Sequence, residues 1–269
     1  MNSTNRNTIW QVDAFTQEPY KGNPAGVMIV DHDFSEIKMQ QIAAEMNLSE
    51  TAFLIPEADY FVIRYFTPTN EVDLCGHASL ASAHIIFETG LRNQHETVLL
   101  KAKGADLQIS TNGEFIKMVF PRYDLHPIET PLQFSRILGF EPVEIFSSNY
   151  DWVVAVAENE TDILNAAPDF GKLKSTPFAN LMITAQSRSY PADFVVRCFA
   201  PNDGINEDPV TGSAHCALTP MWANKLGKTE LDSMQLSART GKLKVRLNNN
   251  KVEIMGKAIT VFEAKLKEV

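Results

Sequence analysis

Two short motifs carry the residue types that could do chemistry: Cys75-Gly76-His77-Ala78 and Thr211-Gly212-Ser213-Ala214. Each opens a stretch of small and apolar residues that reads as a helix. The first turn of a helix has unpaired N–H groups and a partial positive charge, so it binds anions. Glycine there removes the Cβ and lets a ligand approach the backbone. Two such starts would cradle a carboxylate, although either glycine alone equally suits a strand-to-helix turn. His77 and Ser213 follow the glycines and have two readings each. Ser213 is an N-cap and His77 a satisfied histidine, or both offer hydrogen bonds to a ligand. The acidic pair Glu207-Asp208 precedes the second start. It either complements the helix dipole or orients a substrate amine or hydroxyl. Glu50 lies in Asn47-Leu48-Ser49-Glu50-Thr51, between an expected helix and an expected strand. On spacing alone it is an ordinary solvated loop residue.

Other chemistries find no motif. The chain lacks a Walker loop, a Gly-x-Gly-x-x-Gly turn, a Gly-x-Ser-x-Gly elbow and a His-Glu-x-x-His pair. Cys75, His77, His84, His215 and Cys216 show neither Cys-x-x-Cys nor paired-histidine spacing, so no metal is expected. Three cysteines are an odd number and argue against a disulfide framework.

The elements that must position these residues are mostly short strands. Apolar, β-branched or alternating runs predict them at 9–12, 27–30, 52–55, 61–66, 106–110, 116–120, 152–156, 181–185, 194–199, 243–247, 252–255 and 259–262. Asn112-Gly113 and 248–250 supply hairpin turns. Helices are predicted at 35–46 with Ser35 as N-cap, at 77–89 before Gly90, and at 213–226 before Gly227. Pro220 should kink the third helix or restrict its first turns. An internal repeat ties these together: Arg64-Tyr65-Phe66-Thr67-Pro68 returns as Arg197-Cys198-Phe199-Ala200-Pro201. Each copy is followed by one of the two glycine motifs and then by a helix ending in glycine. Two copies are too few for a solenoid. They fit a duplicated enzyme with a ligand cleft between its halves, joined by a linker at 121–131.

The composition narrows the partners. A net charge of -9 and the lack of a basic run argue against nucleic acid. A hydrophobic content of 44% and a charged content of 21% are those of a globular protein. No apolar run is long enough for a membrane span, and the polar N-terminus lacks a signal peptide. A cytoplasmic location is therefore expected.

At these residues the sequence resembles the phenazine biosynthesis PhzF-like isomerase family. The likeness runs through Val12-Asp13-Ala14-Phe15-Thr16, Gly22-Asn23-Pro24-Ala25-Gly26, the Asn47–Thr51 block, Gly76-His77-Ala78, Glu207–Ala214 and the strands from Gly241 to Phe262. The resemblance implies an α+β fold of two pseudo-symmetric, diaminopimelate epimerase-like domains, each a β-structure wrapped around a central helix. Their bounds would be 1–122 with 258–269, whose last strand crosses back, and 128–257. It implies a cofactor-independent isomerase and a small-molecule carboxylate substrate, and it makes a homodimer reasonable. By position in the family motifs, Glu50 is the acid/base that shuttles a proton, and Gly76, His77, Asp208, Gly212 and Ser213 contact substrate. Burial in a closed cleft would raise the carboxyl pKa toward neutrality, as suits such a base. Diaminopimelate epimerases carry a cysteine before each glycine. Here those positions hold Cys75 and Thr211, so a two-thiol racemase is not expected. Val72-Asp73-Leu74 also departs from the founding member. Two alternatives stand beside the isomerase: an epimerase using Cys75 with Glu50, and a non-catalytic module that binds a small ligand or a partner.

Overall fold

The computed structural model describes residues 7–131, 133–150, 152–178 and 180–267. The chain forms two compact units, residues 1–119 with 255–269 and residues 120–254. The ends of the expected N-terminal half, 1–6 and 268–269, lie outside the described residues.

The first unit runs β1 (Thr8–Ala14), β2 (Asn23–Ile29), α1 (Glu36–Met46), β3 (Glu50–Pro56), β4 (Phe61–Phe66), β5 (Glu71–Val72), α2 (Gly76–Glu88), β6 (Val98–Lys101), β7 (Asp106–Thr111) and β8 (Ile116–Pro121). Strand β1 pairs antiparallel with β2, and α1 carries the chain over to a parallel β3. Strand β4 pairs antiparallel with β3 and β5 and, across the α2 connection, parallel with β6. The β7–β8 hairpin turns at Asn112-Gly113 as expected, with Gly113 at φ 87. Ser35 caps α1, accepting from the Lys38 N–H at 3.3 Å. Met39 and Ala43 turn inward onto Phe53 and Phe66. That is the apolar face the periodicity predicts.

The second unit repeats this order. Its elements are β9 (Leu125–Pro127), α3 (Phe134–Leu138), β10 (Glu144–Ser148), β11 (Val153–Val156), α4 (Glu160–Asn165), α5 (Phe170–Lys174), β12 (Leu181–Gln186), β13 (Phe194–Ala200), β14 (Ile205–Asp208), α6 (His215–Leu226), β15 (Glu230–Gln235), β16 (Gly241–Asn248) and β17 (Lys251–Gly256). Antiparallel β10–β11, parallel β11–β12, antiparallel β12–β13 and parallel β13–β15 reproduce the pairings of β1 to β6 in order. The last strand, β18 (Ala258–Lys265), returns to the first unit and pairs antiparallel with β1. Strand β9 does the same for β10. Segment 121–131 is therefore not a plain linker. Its middle is a strand, with Ser147 opposite His126 and Ser148 opposite Leu125.

Each unit has one helix at its centre. Helix α2 is made mostly of apolar and small residues, with His77 to Ala83, Ile85 and Ile86 buried, and it contacts β1, β2, β3 and β18. A helix that is hydrophobic all round must be enclosed. Small residues allow the close approach: a Cβ on Gly256 would come within 2.4 Å of the Phe15 ring. Helix α6 is likewise buried from His215 to Thr219 and at Trp222 and Ala223, and it lies on β15 and β16. Both helices stop at left-handed glycines, Gly90 (φ 72) and Gly227 (φ 65). No helix among the described residues is long and apolar enough to cross a membrane.

Two local expectations change. Helix α2 begins one residue early, at Gly76, with Cys75 as N-cap. Helix α6 begins late, at His215. A turn with short-range bonds, His215 N–H to Gly212 O and Cys216 N–H to Ser213 O, precedes it, so Ser213 is not its N-cap. Pro220 lies inside α6 without ending it. A proline removes the N–H that the carbonyl four residues earlier would accept. That carbonyl, Cys216 O, accepts instead from the Tyr123 N–H at 2.9 Å.

Candidate active site

In the first unit, the start of β3 and the start of α2 bring three candidate side chains together. Glu50 is the first residue of β3, opposite Ala25 of β2, and so is held by a strand rather than carried on a loop. Its Oε2 lies 3.2 Å from His77 Nε2, with the two side chains 14% and 7% exposed. Cys75 Sγ lies 3.4 Å from the other ring nitrogen, Nδ1. The carboxylate and the thiol thus both lie beside the same imidazole, Sγ being 4.0 Å from Nε2 as well. Donor atoms of Glu50, Cys75 and His77 all fall within 4.8 Å of one another. Spacing could not reveal this, because β3 and α2 meet only on folding. Gly76, between Cys75 and His77, is the first helical residue.

Backbone support for this cluster comes from β4 and α2. Ser79 Oγ donates to the Cys75 carbonyl at 2.6 Å, and the Tyr65 hydroxyl lies 2.6 Å from Ser79 Oγ. Since Ser79 spends its proton on Cys75, Tyr65 must be the donor to Ser79. Burial raises the Tyr65 phenol well above its ordinary pKa, so it keeps the proton this chain requires.

The second unit has a matching arrangement around Thr211 and Gly212. The Thr211 hydroxyl donates to Asp208 Oδ2 at 2.5 Å. Gln235, fully buried on β15, accepts from the Thr211 N–H at 2.9 Å and donates to the Asp208 carbonyl at 2.7 Å. His215 Nδ1 is 3.0 Å from the Thr211 carbonyl, and its Nε2 is 2.8 Å from Ser233 Oγ. A carbonyl only accepts, so Nδ1 carries the proton and Nε2 accepts from Ser233. Burial lowers the His215 pKa to about 4, which keeps the ring neutral. Ser79 and His215 stand at equivalent places in the repeat, and each holds the carbonyl four residues before it. Ser213 lies in the turn ahead of α6.

The repeated arginines brace the approach to both glycines. Arg64 Nε and Nη2 bind both Glu71 oxygens, at 2.7 and 2.8 Å. Arg197 does the same to Glu207, at 2.7 and 2.9 Å. The Arg64 guanidinium holds the Glu71 carboxyl below the usual carboxylate range. Glu207 is thus committed to Arg197. Of the acidic pair before the second glycine motif, only Asp208 stands next to Thr211. Sequence reasoning missed Glu71, Ser79 and Gln235 as supports. The repeated Arg-x-Phe triplet was the one available signal for Glu71.

The comparisons with known proteins agree with this architecture. The family described as phenazine biosynthesis-like protein matches residues 12–264. An uncharacterized isomerase of Halalkalibacterium halodurans is 40% identical over 259 residues, spanning 96% of this chain and 97% of that protein. The crystal structure of a PhzF-family phenazine biosynthesis protein from Enterococcus faecalis superposes with a TM-score of 0.91 at 35% identity, covering 96% of this chain and 98% of that one. A probable proline racemase from Agrobacterium radiobacter shares the fold alone, with a TM-score of 0.66 at 11% identity over 97% of this chain and 93% of that one. With one buried helix and one glycine motif in each of two like units, the chain belongs to the phenazine biosynthesis-like (PhzC-PhzF) family.

Proposed function

We propose that this protein is an isomerase that moves a proton on a small carboxylate-bearing substrate without a cofactor, with Glu50 carrying the proton. The observation that carries this reading is the Glu50 carboxylate, mostly buried and in contact with His77 Nε2 at 3.2 Å. Family membership supports it, and the relative from Halalkalibacterium halodurans is itself named an isomerase. A carboxylate removed from water is a stronger base than one in solution. In the reaction, Glu50 takes a proton from a carbon made acidic by conjugation. The electron pair delocalises into the substrate, and the same proton or an exchanged one returns at a second carbon. Atoms and electrons balance with no co-reactant. The family motifs offer Gly76 and His77 in the first unit, and Asp208, Gly212 and Ser213 in the second, as substrate contacts, and the amides at the start of α2 stabilise charge that develops on a ligand beside Glu50.

The test is incubation of the protein with a panel of small unsaturated carboxylates in D2O, followed by NMR. A substrate whose double bond shifts, with or without deuterium uptake, supports the reading. A second reading rests on Cys75 Sγ, 3.4 Å from His77 Nδ1. In that case Cys75 and Glu50 serve as an epimerase pair, and deuterium enters a stereocentre with connectivity unchanged. Cys75→Ala separates them, because the isomerase keeps most of its activity and the epimerase loses at least about a hundredfold.

A further inference from the structure

The cluster of Glu50, Cys75 and His77 also has the donors of a metal site. One oxygen, one sulfur and one nitrogen lie within 4.8 Å of each other. Around tetrahedral Zn2+, with bonds of about 2.0–2.3 Å, neighbouring donors sit roughly 3.3–3.6 Å apart. His77 Nε2 is 3.2 Å from Glu50 Oε2 and 4.0 Å from Cys75 Sγ. The nitrogen–oxygen edge already fits, and the Cys75 side chain has to turn toward the carboxylate to close the two edges that involve sulfur. Helix α2 and strand β3, whose starts position the three ligands, are in contact. Thiolate and imidazole select Zn2+ over Mg2+ or Ca2+, which favour all-oxygen shells. One carboxylate and one thiolate neutralise the ion, and three protein ligands leave a fourth position open. The other thiols do not compete, since Cys198 and Cys216 are fully buried in the second unit.

We propose that Glu50, Cys75 and His77 bind one Zn2+ ion, and that the bound ion stops proton transfer by engaging the Glu50 carboxylate. On binding, the Cys75 S–H bond breaks, its proton goes to solvent, and a Zn–S bond forms as the ion sheds water. The block on turnover rests on Glu50 being the proton carrier, whereas binding of the ion does not.

The test uses the full chain, freed of metal by a chelator. It is titrated with Zn2+ by calorimetry and with Co2+ by absorption. The expected results are uptake of one ion per chain, a thiolate-to-cobalt charge-transfer band, and no displacement by excess Mg2+. Zn2+ should also protect Cys75 from iodoacetamide. Cys75→Ser should abolish the band, and Glu50→Gln and His77→Ala should each weaken binding by about a hundredfold. Glu50 opens β3 while Cys75 and His77 lie at the start of α2, so misfolding of a variant in one element leaves the other element's variant decisive. No uptake, or uptake unchanged in all three variants, overturns the proposal. If Zn2+ binds but Glu50→Gln keeps full turnover, the site stands and the assigned reaction falls. If Glu50→Gln is inactive and no ion binds, the reaction stands and the metal site falls.

Discussion

His77 Nε2 lies 3.2 Å from Glu50 Oε2, and this contact joins the first turn of one buried helix to the first residue of a parallel strand. It sets a mostly buried carboxylate beside an imidazole. The glutamate alone would be a loop residue. The histidine alone would be a helix-start ornament.

The first prediction concerns that contact. His77→Gln retains an N–H able to reach the carboxylate, while His77→Ala does not. Turnover should fall about tenfold in the first and about a thousandfold in the second, with kcat changing more than KM. Equal losses in the two variants would show that His77 does not act through Glu50.

The second concerns the carbonyl clamps. Ser79→Ala leaves the Tyr65 hydroxyl without its buried acceptor and takes a donor from the Cys75 carbonyl. Chemical denaturation should show a loss of about 1–3 kcal/mol. The double change with Tyr65→Phe should cost less than the sum of the two single changes, because it removes both ends of one hydrogen bond. Strict additivity would contradict the chain of donors inferred here.

The third is a pH dependence. The folded His215 pKa is lowered from 6.5 to about 4 by burial, so between these values the unfolded chain binds more protons than the folded one. Stability from this group is therefore fully present above about pH 6.5 and is lost as the pH falls toward 4, by on the order of 3 kcal/mol. His215→Gln keeps a donor for the Thr211 carbonyl but cannot be protonated. Its stability should fall less steeply over that window than that of the unsubstituted protein. Parallel curves would show that His215 is not the group responsible.

The fourth compares the two arginine forks. Arg197 binds both Glu207 oxygens and also the Ile163 and Ala166 carbonyls, and its side chain is 12% exposed. Arg64 is 25% exposed and spends its remaining bond on the exposed Glu36. Lysine cannot supply the bidentate geometry. Arg197→Lys should lower stability by about 2–3 kcal/mol and Arg64→Lys by about 1 kcal/mol, read from denaturation midpoints. The reverse order would contradict this ranking.

Much of this was legible in the sequence because the fold is duplicated. Arg64 and Arg197, Gly76 and Gly212, and Gly90 and Gly227 mark corresponding points, and their order exposed both central helices. The strand β9 was hidden because Pro121 to Pro131 reads as linker composition, and only pairing with β10 makes it a strand. Glu144 to Ser148 and Glu230 to Gln235 escaped notice because their alternation is mixed with polar residues whose partners are remote in sequence. Gln235 supports the second glycine motif from 24 residues away. Contacts of that kind are made by strand register, which local composition does not encode. The Glu50, Cys75 and His77 cluster was half visible. Cys75 and His77 are neighbours in sequence, whereas their meeting with Glu50 depends on α2 lying against β3.

The most direct test of the account is turnover by Glu50→Gln, measured by NMR in D2O on a substrate the unsubstituted protein isomerises. Glutamine keeps the shape and the place beside His77 but cannot accept the proton. The account predicts a loss of at least about 10²–10⁴-fold in kcat, with melting temperature and substrate affinity little changed. Turnover within about threefold of the unsubstituted protein would contradict it, since proton transfer would then belong to another group.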